Sequence, residues 1–520
     1  MSLKSVKLVY VGRFSFVTPA EACEQFKAQF TFHIREMEPA SLENGFKSTE
    51  TITEQKAWWI DTDVITKVKA FCFLSGLSHK VKTTLKSQGY TVEEEDRRKN
   101  DMPKPRFDLI KHVQFRGRQA EALVTMCASR CGVVNCSTGW GKSFIIRQWA
   151  LLFPTVKGII TVPAVTNARD LYDDLKDHIE GLGFVGDGEC RIGSITVAVT
   201  HSLRLCDRDV AWVIIDEAHM ALTSMHLDSI LKFKRQKLLA FTATPDGKSD
   251  GRDPYLEAVF GPQIIHVPYE EAVASGNVVQ LKVHMIRIAQ GPDVTQYEGF
   301  HKKNKLGIWR NYFRNNEIAN EVRRLIKEYP EAQILIMVDK TEHAFVLGQL
   351  LPEFSLAHGP VAADKLKKLG ASGAFNKDTQ VPCDKKKLQA LKVAFSKSQV
   401  KYCIATGIWS RGVNFPDLNI LVRADGQASP INSGQTPGRL SRLGTNKDKG
   451  YGLLVDCVDF FSRDLLGRSL RRAAVYKKNK FDLDEETINL LRSAGRVYRQ
   501  KGGNPDSLPD EVNFDTGEDG

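Results

Sequence analysis

The run Cys136-Ser-Thr-Gly-Trp-Gly-Lys-Ser143 limits the possible folds more than any other stretch of this chain. It follows the apolar, β-like run Gly132–Cys136 and opens the helical pattern Phe144–Leu152. A strand, a glycine-rich turn and a helix in that order make a P-loop. Glycines let backbone N–H groups curl around phosphate oxygens without a clashing Cβ, and the helix N-terminus adds a favourable dipole. Ser137, Thr138, Gly139, Trp140, Gly141, Lys142, Ser143 and Phe144 are therefore the candidate cofactor-binding residues. In such a loop the lysine reaches the β- and γ-phosphates and the Ser143 hydroxyl ligates a metal, so the expected cofactors are ATP and Mg²⁺. The general pattern begins with glycine, and here that position is Cys136.

The surroundings repeat the same alternation. Apolar runs at Gly132–Cys136, Gly158–Val162, Ile195–Thr200, Ala211–Asp216 and Leu238–Thr244 are separated by helical stretches. A second series follows at Val279–Ile288, Gln333–Val338, Tyr402–Ala405, Asn419–Arg423 and Tyr451–Val455. Strands alternating with helices predict parallel sheets covered on both faces, and continuous apolarity such as Trp212-Val-Ile-Ile215 fits a strand buried on both sides. The expected organisation is an N-terminal α+β accessory domain over 1–105, α/β domains over 106–275 and 276–503, and an acidic tail over 504–520. Charges and prolines at Glu93–Arg106 predict a linker, and Asp63–Gln88 reads as helical. Val361–Lys387, rich in lysine, reads as a solvated insertion.

Asp216-Glu217-Ala218-His219 closes one of the apolar runs, which places two carboxylates at the C-terminal edge of a parallel sheet, where ligands bind in open α/β folds. About 75 residues after the P-loop, Asp216 is the candidate Mg²⁺ ligand beside Ser143, and Glu217 the candidate base for an attacking water.

With 520 residues, 42% hydrophobic and 26% charged, the chain can bury large cores without disulfides. No apolar run approaches the roughly 20 residues of a spanning helix, so no membrane is expected. The ten cysteines form no Cys-x-x-Cys pair and read as reduced thiols in a cytoplasmic setting. The net charge is +11; residues 501–520 hold one lysine and six acids, which leaves +16 on residues 1–500. A basic body suits a polyanionic partner, nucleic acid first.

From about 110 to 460 the motifs resemble those of superfamily 2 helicases with an Asp-Glu-Ala-His motif. The resemblance implies two tandem RecA-like P-loop domains, with Gln119 reading adenine and Val162-Pro163 as motif Ia. Thr200-His-Ser-Leu203 resembles the segment before the acidic motif. His219, with Thr242 and Thr244 of Thr242-Ala-Thr-Pro245, would couple hydrolysis to domain movement. Arg411 and Gly412 in Arg411-Gly-Val-Asn414 resemble a nucleic-acid coupling element. Gln435-Thr-Pro-Gly-Arg-Leu-Ser-Arg442 resembles the last motif, in which Arg439 and Arg442 would stabilise transition-state charge on closure, with Arg442 as the leading arginine finger. The catalytic set implied is Lys142, Asp216, Glu217, Arg439 and Arg442.

The endings of these motifs look like those of DNA translocases, and the size and small N-terminal domain are most similar to phage UvsW-type branch-migration helicases. That implies an ATP-dependent motor, possible as a monomer, on single-stranded, forked or branched DNA. RNA is the lesser alternative, a restriction-system motor subunit another, and a non-catalytic nucleic-acid-binding protein the last. Phosphate contacts are expected from the insertion lysines and from the Arg463–Lys480 cluster. Trp58-Trp59 and Phe71–Phe73 either stack on bases or pack in a core, and packing is favoured. Deleting Asn504–Gly520 is expected to leave ATP hydrolysis unchanged in a phosphate-release assay.

Overall fold

A computed structural model describes residues 4–38, 49–98, 102–233, 237–243, 251–409, 415–428, 437–441, 450–504 and 508–509. The chain divides into two compact units, Met1–Ser137 with Gly141–Val267 and Pro268–Gly520 with the short stretch Thr138–Trp140.

The first unit begins with β1 (Lys4–Tyr10), β2 (Phe14–Thr18), β3 (Thr31–Glu38), β4 (Thr49–Lys56), β5 (Trp58–Thr62), β6 (Lys69–Leu74) and β7 (Tyr90–Asp96). Five of these form a sheet in the order β5-β6-β2-β1-β7, while β3 and β4 pair separately as antiparallel strands. Val81 and Leu85 of the helix Ser78–Ser87 are buried in the same apolar cluster as Leu8, Val17, Phe71 and Phe73 of the sheet.

Two expectations fail here. Asp63–Gln88 is not one helix. Asp63 accepts the backbone N–H of Ile65 (3.3 Å) and Thr66 (3.2 Å), which turns the chain, and the aromatic run that follows becomes β6. Aromatic side chains fit a pleated, half-buried surface better than a helix. Likewise Glu93–Asp96 is strand rather than linker, because β7 lies parallel to β1 with its charges matched. Lys7 pairs with Glu95 at 2.8 Å, Lys82 with Glu94 at 2.6 Å, and Arg97 with Glu95 at 2.8 Å.

An eight-stranded sheet follows: β8 (Cys131–Cys136), β9 (Gly158–Val162), β10 (Gly183–Gly186), β11 (Glu189–Arg191), β12 (Ile195–Val199), β13 (Trp212–Ile215), β14 (Lys237–Thr242) and β15 (Gln263–Val267). Its order is β11-β10-β12-β9-β13-β14-β8-β15, and all neighbours are parallel except β10 and β11. The strands β9, β12 and β13 are buried at every residue, as their unbroken apolarity requires. The helix Lys142–Leu152 buries Ile145, Ile146, Trp149 and Leu152. Those spacings form one apolar stripe.

The second unit holds β16 (Gln280–Ile288), β17 (Gln333–Met337), β18 (Ser355–Ala357), β19 (Tyr402–Ala405), β20 (Leu418–Arg423), β21 (Tyr451–Asp459) and β22 (Asp482–Leu483). Its order is β18-β19-β17-β20-β21-β16-β22, parallel throughout. Two RecA-like α/β sheets in tandem, preceded by a smaller α+β sheet, are the fold class the sequence predicts.

Two further readings are corrected in this unit. The insertion is not simply a loop: Ala363–Ala371 and Lys385–Ser396 are helices, the second capped by Asp384, whose side chain accepts from the Lys387 N–H. The Arg463–Lys480 cluster is not all surface. It is mainly the helix Arg463–Lys478, and Arg472 is fully buried, donating to both Asp456 oxygens at 2.8 and 2.9 Å. Tyr476 donates to Asp456 at 2.6 Å, and Arg423 donates to Tyr476 at 3.0 Å. A buried arginine is tolerable only when so bonded.

Within the first unit one apolar cluster runs from Leu8, Val17 and Phe73 through Phe32 and Leu77 to Tyr255, Leu256, Val213 and Ile215. Phe32 meets Tyr255 edge-on at 4.9 Å, and His79 reaches Glu257 at 2.9 Å. Gly76 marks the tightest approach: a Cβ there would lie 2.1 Å from the Glu257 carbonyl oxygen and 2.5 Å from that of Ala258. Gly76→Ala is therefore expected to lower the unfolding free energy by roughly 1–3 kcal/mol, the cost of overpacking, read from the midpoint of urea unfolding.

Candidate nucleotide-binding site

The P-loop sequence turns from β8 into the helix Lys142–Leu152 through two glycines with left-handed backbone, Gly139 (φ 91°) and Gly141 (φ 108°). Gly141 also has no room for a side chain, since a Cβ would sit 2.7 Å from Nε2 of Gln119. Gln119 is itself buried and accepts the Arg116 N–H at 3.0 Å, so the candidate adenine-reading residue is held against the loop. Phe144, one residue after Ser143, packs edge-on against Phe115 at 5.9 Å. Trp140 and Cys136 are buried, and burial pushes the Cys136 thiol up to about 12, which keeps it protonated. Ser143 is exposed. The Ser137 hydroxyl is buried with no hydrogen-bond partner among the described residues.

Strand order brings the acids to this turn. The strand β14 lies between β8 and β13, in register with both, so Thr242, the P-loop and Asp216-Glu217 leave the sheet on one edge. Lys142 Nζ lies 3.2 Å from Glu217 Oε1. Burial pushes the Lys142 ammonium down, but Glu217 and Asp216 outweigh it and hold the pKa above its ordinary value. For Asp216 burial comes first and the Glu217 charge second; together they raise the carboxyl to about 6 against the pull of Lys142. Glu217 adopts left-handed backbone (φ 47°, ψ 49°), and its N–H donates to Asp216 Oδ1 at 3.0 Å. A non-glycine residue held in that region is strain of the kind found at functional sites. His219 is buried, with Nδ1 3.0 Å from Thr242 Oγ1 and 3.6 Å from Glu217 Oε2.

The structure thus brings Gln119, Gly141, Lys142, Asp216, Glu217, His219 and Thr242 to one edge. Thr200 leaves β12 on the same edge: its hydroxyl pairs at 3.1 Å with that of Thr161, a residue the motifs do not single out, and the Thr161 carbonyl accepts the Asp216 N–H at 2.9 Å. In the second unit Arg439 ends the short turn Pro437–Arg439. Its side chain, and Thr244, Arg411, Gly412, Gln435 and Arg442, lie outside the described residues. In the accessory sheet Phe71 and Phe73 are buried, Trp58 stacks on Phe71 at 5.6 Å, and Trp59 is exposed. Residues 299–316 belong to none of the motifs, yet they interleave aromatics with five Lys or Arg and no acid.

Residues 116–250 match the DEAD/DEAH box helicase family, so the first unit carries a superfamily 2 helicase domain. A protein named as helicase 22 in Sulfolobus islandicus filamentous virus is 21% identical over 385 residues, 68% of this chain and 64% of that protein. The match thus spans less than two thirds of the relative. Among solved structures, Saccharomyces cerevisiae Dbp5 bound to RNA and ADP BeF3 is 15% identical, covers 75% of this chain and 95% of its own, with a TM-score of 0.47. The crystal structure of T4 UvsW is 15% identical, covers 92% of this chain and 98% of its own, with a TM-score of 0.39.

The raised Asp216 carboxyl has a stability consequence. A carboxyl that ionises at 3.8 when unfolded but at about 6 when folded costs stability progressively as pH rises across that interval. Below it both states are protonated and the cost is absent. Asp216→Asn removes the ionisation. The variant should melt above the wild type at neutral pH, by roughly 1–3 kcal/mol, and the gap should close as pH falls towards 3.8. Circular-dichroism melts across that range measure it; equal melting at every pH would contradict the assignment.

Proposed function

We propose that this chain is an ATP-dependent DNA helicase or translocase that unwinds or remodels branched DNA, such as forks and Holliday-type junctions, in replication, recombination or repair. The observation that carries the reading is Lys142 paired with Glu217, within the field of the Asp216 charge, at the ligand edge of a parallel sheet, inside the stretch that matches DEAD/DEAH box helicases. Bound ATP and Mg²⁺ would supply the phosphoryl group to be cleaved and the divalent charge that offsets its oxygens.

The residues suit that cofactor. The buried Ser137 hydroxyl lacks a partner among the described residues, the left-handed turn at Gly139 and Gly141 is one that side chains rarely adopt, and the Ser143 hydroxyl is open to solvent. Ser143 and Asp216 would hold the metal. Lys142 would exchange its Glu217 contact for phosphate oxygens, which releases Glu217 to orient a water and accept its proton. The His219–Thr242 hydrogen bond would pass that change to the end of β14. Arg439 and Arg442 are the proposed arginines for developing charge.

Net positive charge and two lysine-bearing surface helices support a polyanionic track. Lys365, Lys367 and Lys368 on one, with Lys385, Lys386 and Lys387 on the other, are all exposed. Such contacts follow the phosphate backbone and are sensitive to salt. DNA is favoured over RNA by the motif endings Thr242-Ala-Thr-Pro245 and Gly438-Arg-Leu-Ser-Arg442. ATP turnover and strand displacement on single-stranded, duplex, forked and four-way DNA, with an RNA control, test the reading; stimulation by RNA alone would overturn it. Lys142→Ala should reduce phosphate release by roughly 100-fold or more while DNA binding, followed by fluorescence anisotropy, persists.

A further inference from the structure

From the segment after β16 into the first turn of the helix Tyr312–Glu328 the chain carries three exposed aromatic side chains: Phe300 (56%), Tyr312 (70%) and Phe313 (48%). A scattered exposed ring is ordinary on a protein surface; adjoining ones mark an interaction site. Tyr312 and Phe313 meet edge-on with centroids 5.7 Å apart, and the Arg468 guanidinium lies 4.9 Å over the Phe300 ring.

The segment is not a loose loop. Phe300–Asn304 is helical and Lys305–Trp309 forms a π-helical turn, a geometry that recurs at functional sites. Asn311 caps the next helix by accepting the Arg314 N–H at 3.2 Å, and Asn311 Nδ2 donates to Gly307 O at 3.2 Å. Asn315 donates to Trp309 O at 3.2 Å and meets His343 Nε2 at 2.9 Å. Buried Arg314 donates to Asp459 at 2.9 Å and to Ala424 O at 2.8 Å. Asp459 ends β21 and Ala424 follows β20, so these bonds pin the segment to the C-terminal edge of the second sheet. That is the edge at which open α/β sheets bind ligands. Residues 299–316 also hold Lys302, Lys303, Lys305, Arg310 and Arg314 with no acid between them. Lys303 is taken by Asp464 and Arg310 by Glu342, while Lys302 is exposed.

We infer that the adjoining exposed rings of Tyr312 and Phe313 form a base-stacking platform for single-stranded nucleic acid, with Phe300 an exposed ring on the same segment. Every base offers a π-face to such rings, and cations beside them meet the backbone. A duplex keeps its bases stacked inside, so it would gain little from the rings. This inference rests on the nucleic-acid reading above and adds to it: the second unit would grip bases as well as phosphates.

The test is fluorescence anisotropy of the full chain with labelled oligo(dT) and oligo(U) of about 20 nucleotides, a length that spans several stacked bases. The double variant Tyr312→Ala with Phe313→Ala is expected to bind single strands roughly tenfold or more weakly. Its melting temperature should match the wild type, because both side chains are exposed. The slope of log affinity against log salt should be unchanged, because no ion pair is removed. Tyr312→Trp should keep the affinity, and the introduced indole should be quenched by the oligonucleotide. Loss with oligo(dT) only, or with both oligonucleotides, supports the platform and identifies which strand it holds. Unchanged affinity of the folded double variant overturns it while leaving the nucleic-acid reading intact. A wild-type chain that binds neither oligonucleotide overturns both.

Discussion

Parallel pairing of β13, β14 and β8 decides where the chemistry of the first unit sits. In-register parallel strands release their C-terminal ends on one edge, so the turn after Cys136, the acids after Ile215 and Thr242 emerge together. The arrangement is not stabilising in itself. One ammonium faces two carboxylates in a poorly solvated place, and Asp216 is left with a raised pKa. Glu217 adds backbone strain by sitting at φ 47°. The fully buried strands around it supply the stability that lets this edge remain strained and short of positive charge.

Much of this was legible in the sequence for a simple physical reason. Strands buried on both faces need unbroken apolarity, and Trp212-Val-Ile-Ile215 has it; a P-loop needs glycines at set places, and Gly139 and Gly141 show why in their left-handed backbone. What escaped were elements whose stability comes from partners distant in sequence. The strand β7 reads as a charged linker until Lys7, Lys82 and Arg97 are found beside it. The short strands β10, β11, β18 and β22 hold two to four residues each, too few for a period to register. Arg472 looks like one more surface cation in a basic stretch, and only folding shows that it is spent on Asp456.

The second unit solves a different problem with the same side chains. Asp456, Arg472, Tyr476 and Arg423 share one buried hydrogen-bonded cluster, and Arg423 also reaches Asp425 at 3.2 Å and the Gln427 carbonyl at 3.0 Å. Such a cluster is often no stronger than an apolar core of equal volume. It does fix direction, because each bond tolerates little rotation. Here it orients the helix Arg463–Lys478 and the start of the segment that follows β20 against the sheet.

The apolar cluster common to the accessory strands and the first α/β sheet has a mechanical meaning. The prolines at 103 and 105 mark a seam in the sequence, but not in the material. The helix Asp253–Phe260, gripped by Phe32, Leu77 and the His79–Glu257 contact, leads directly into β15, and β15 pairs with β8, the strand that carries the P-loop. A load applied to the accessory strands would therefore reach the phosphate-binding turn through stiff, packed elements with little slack between them.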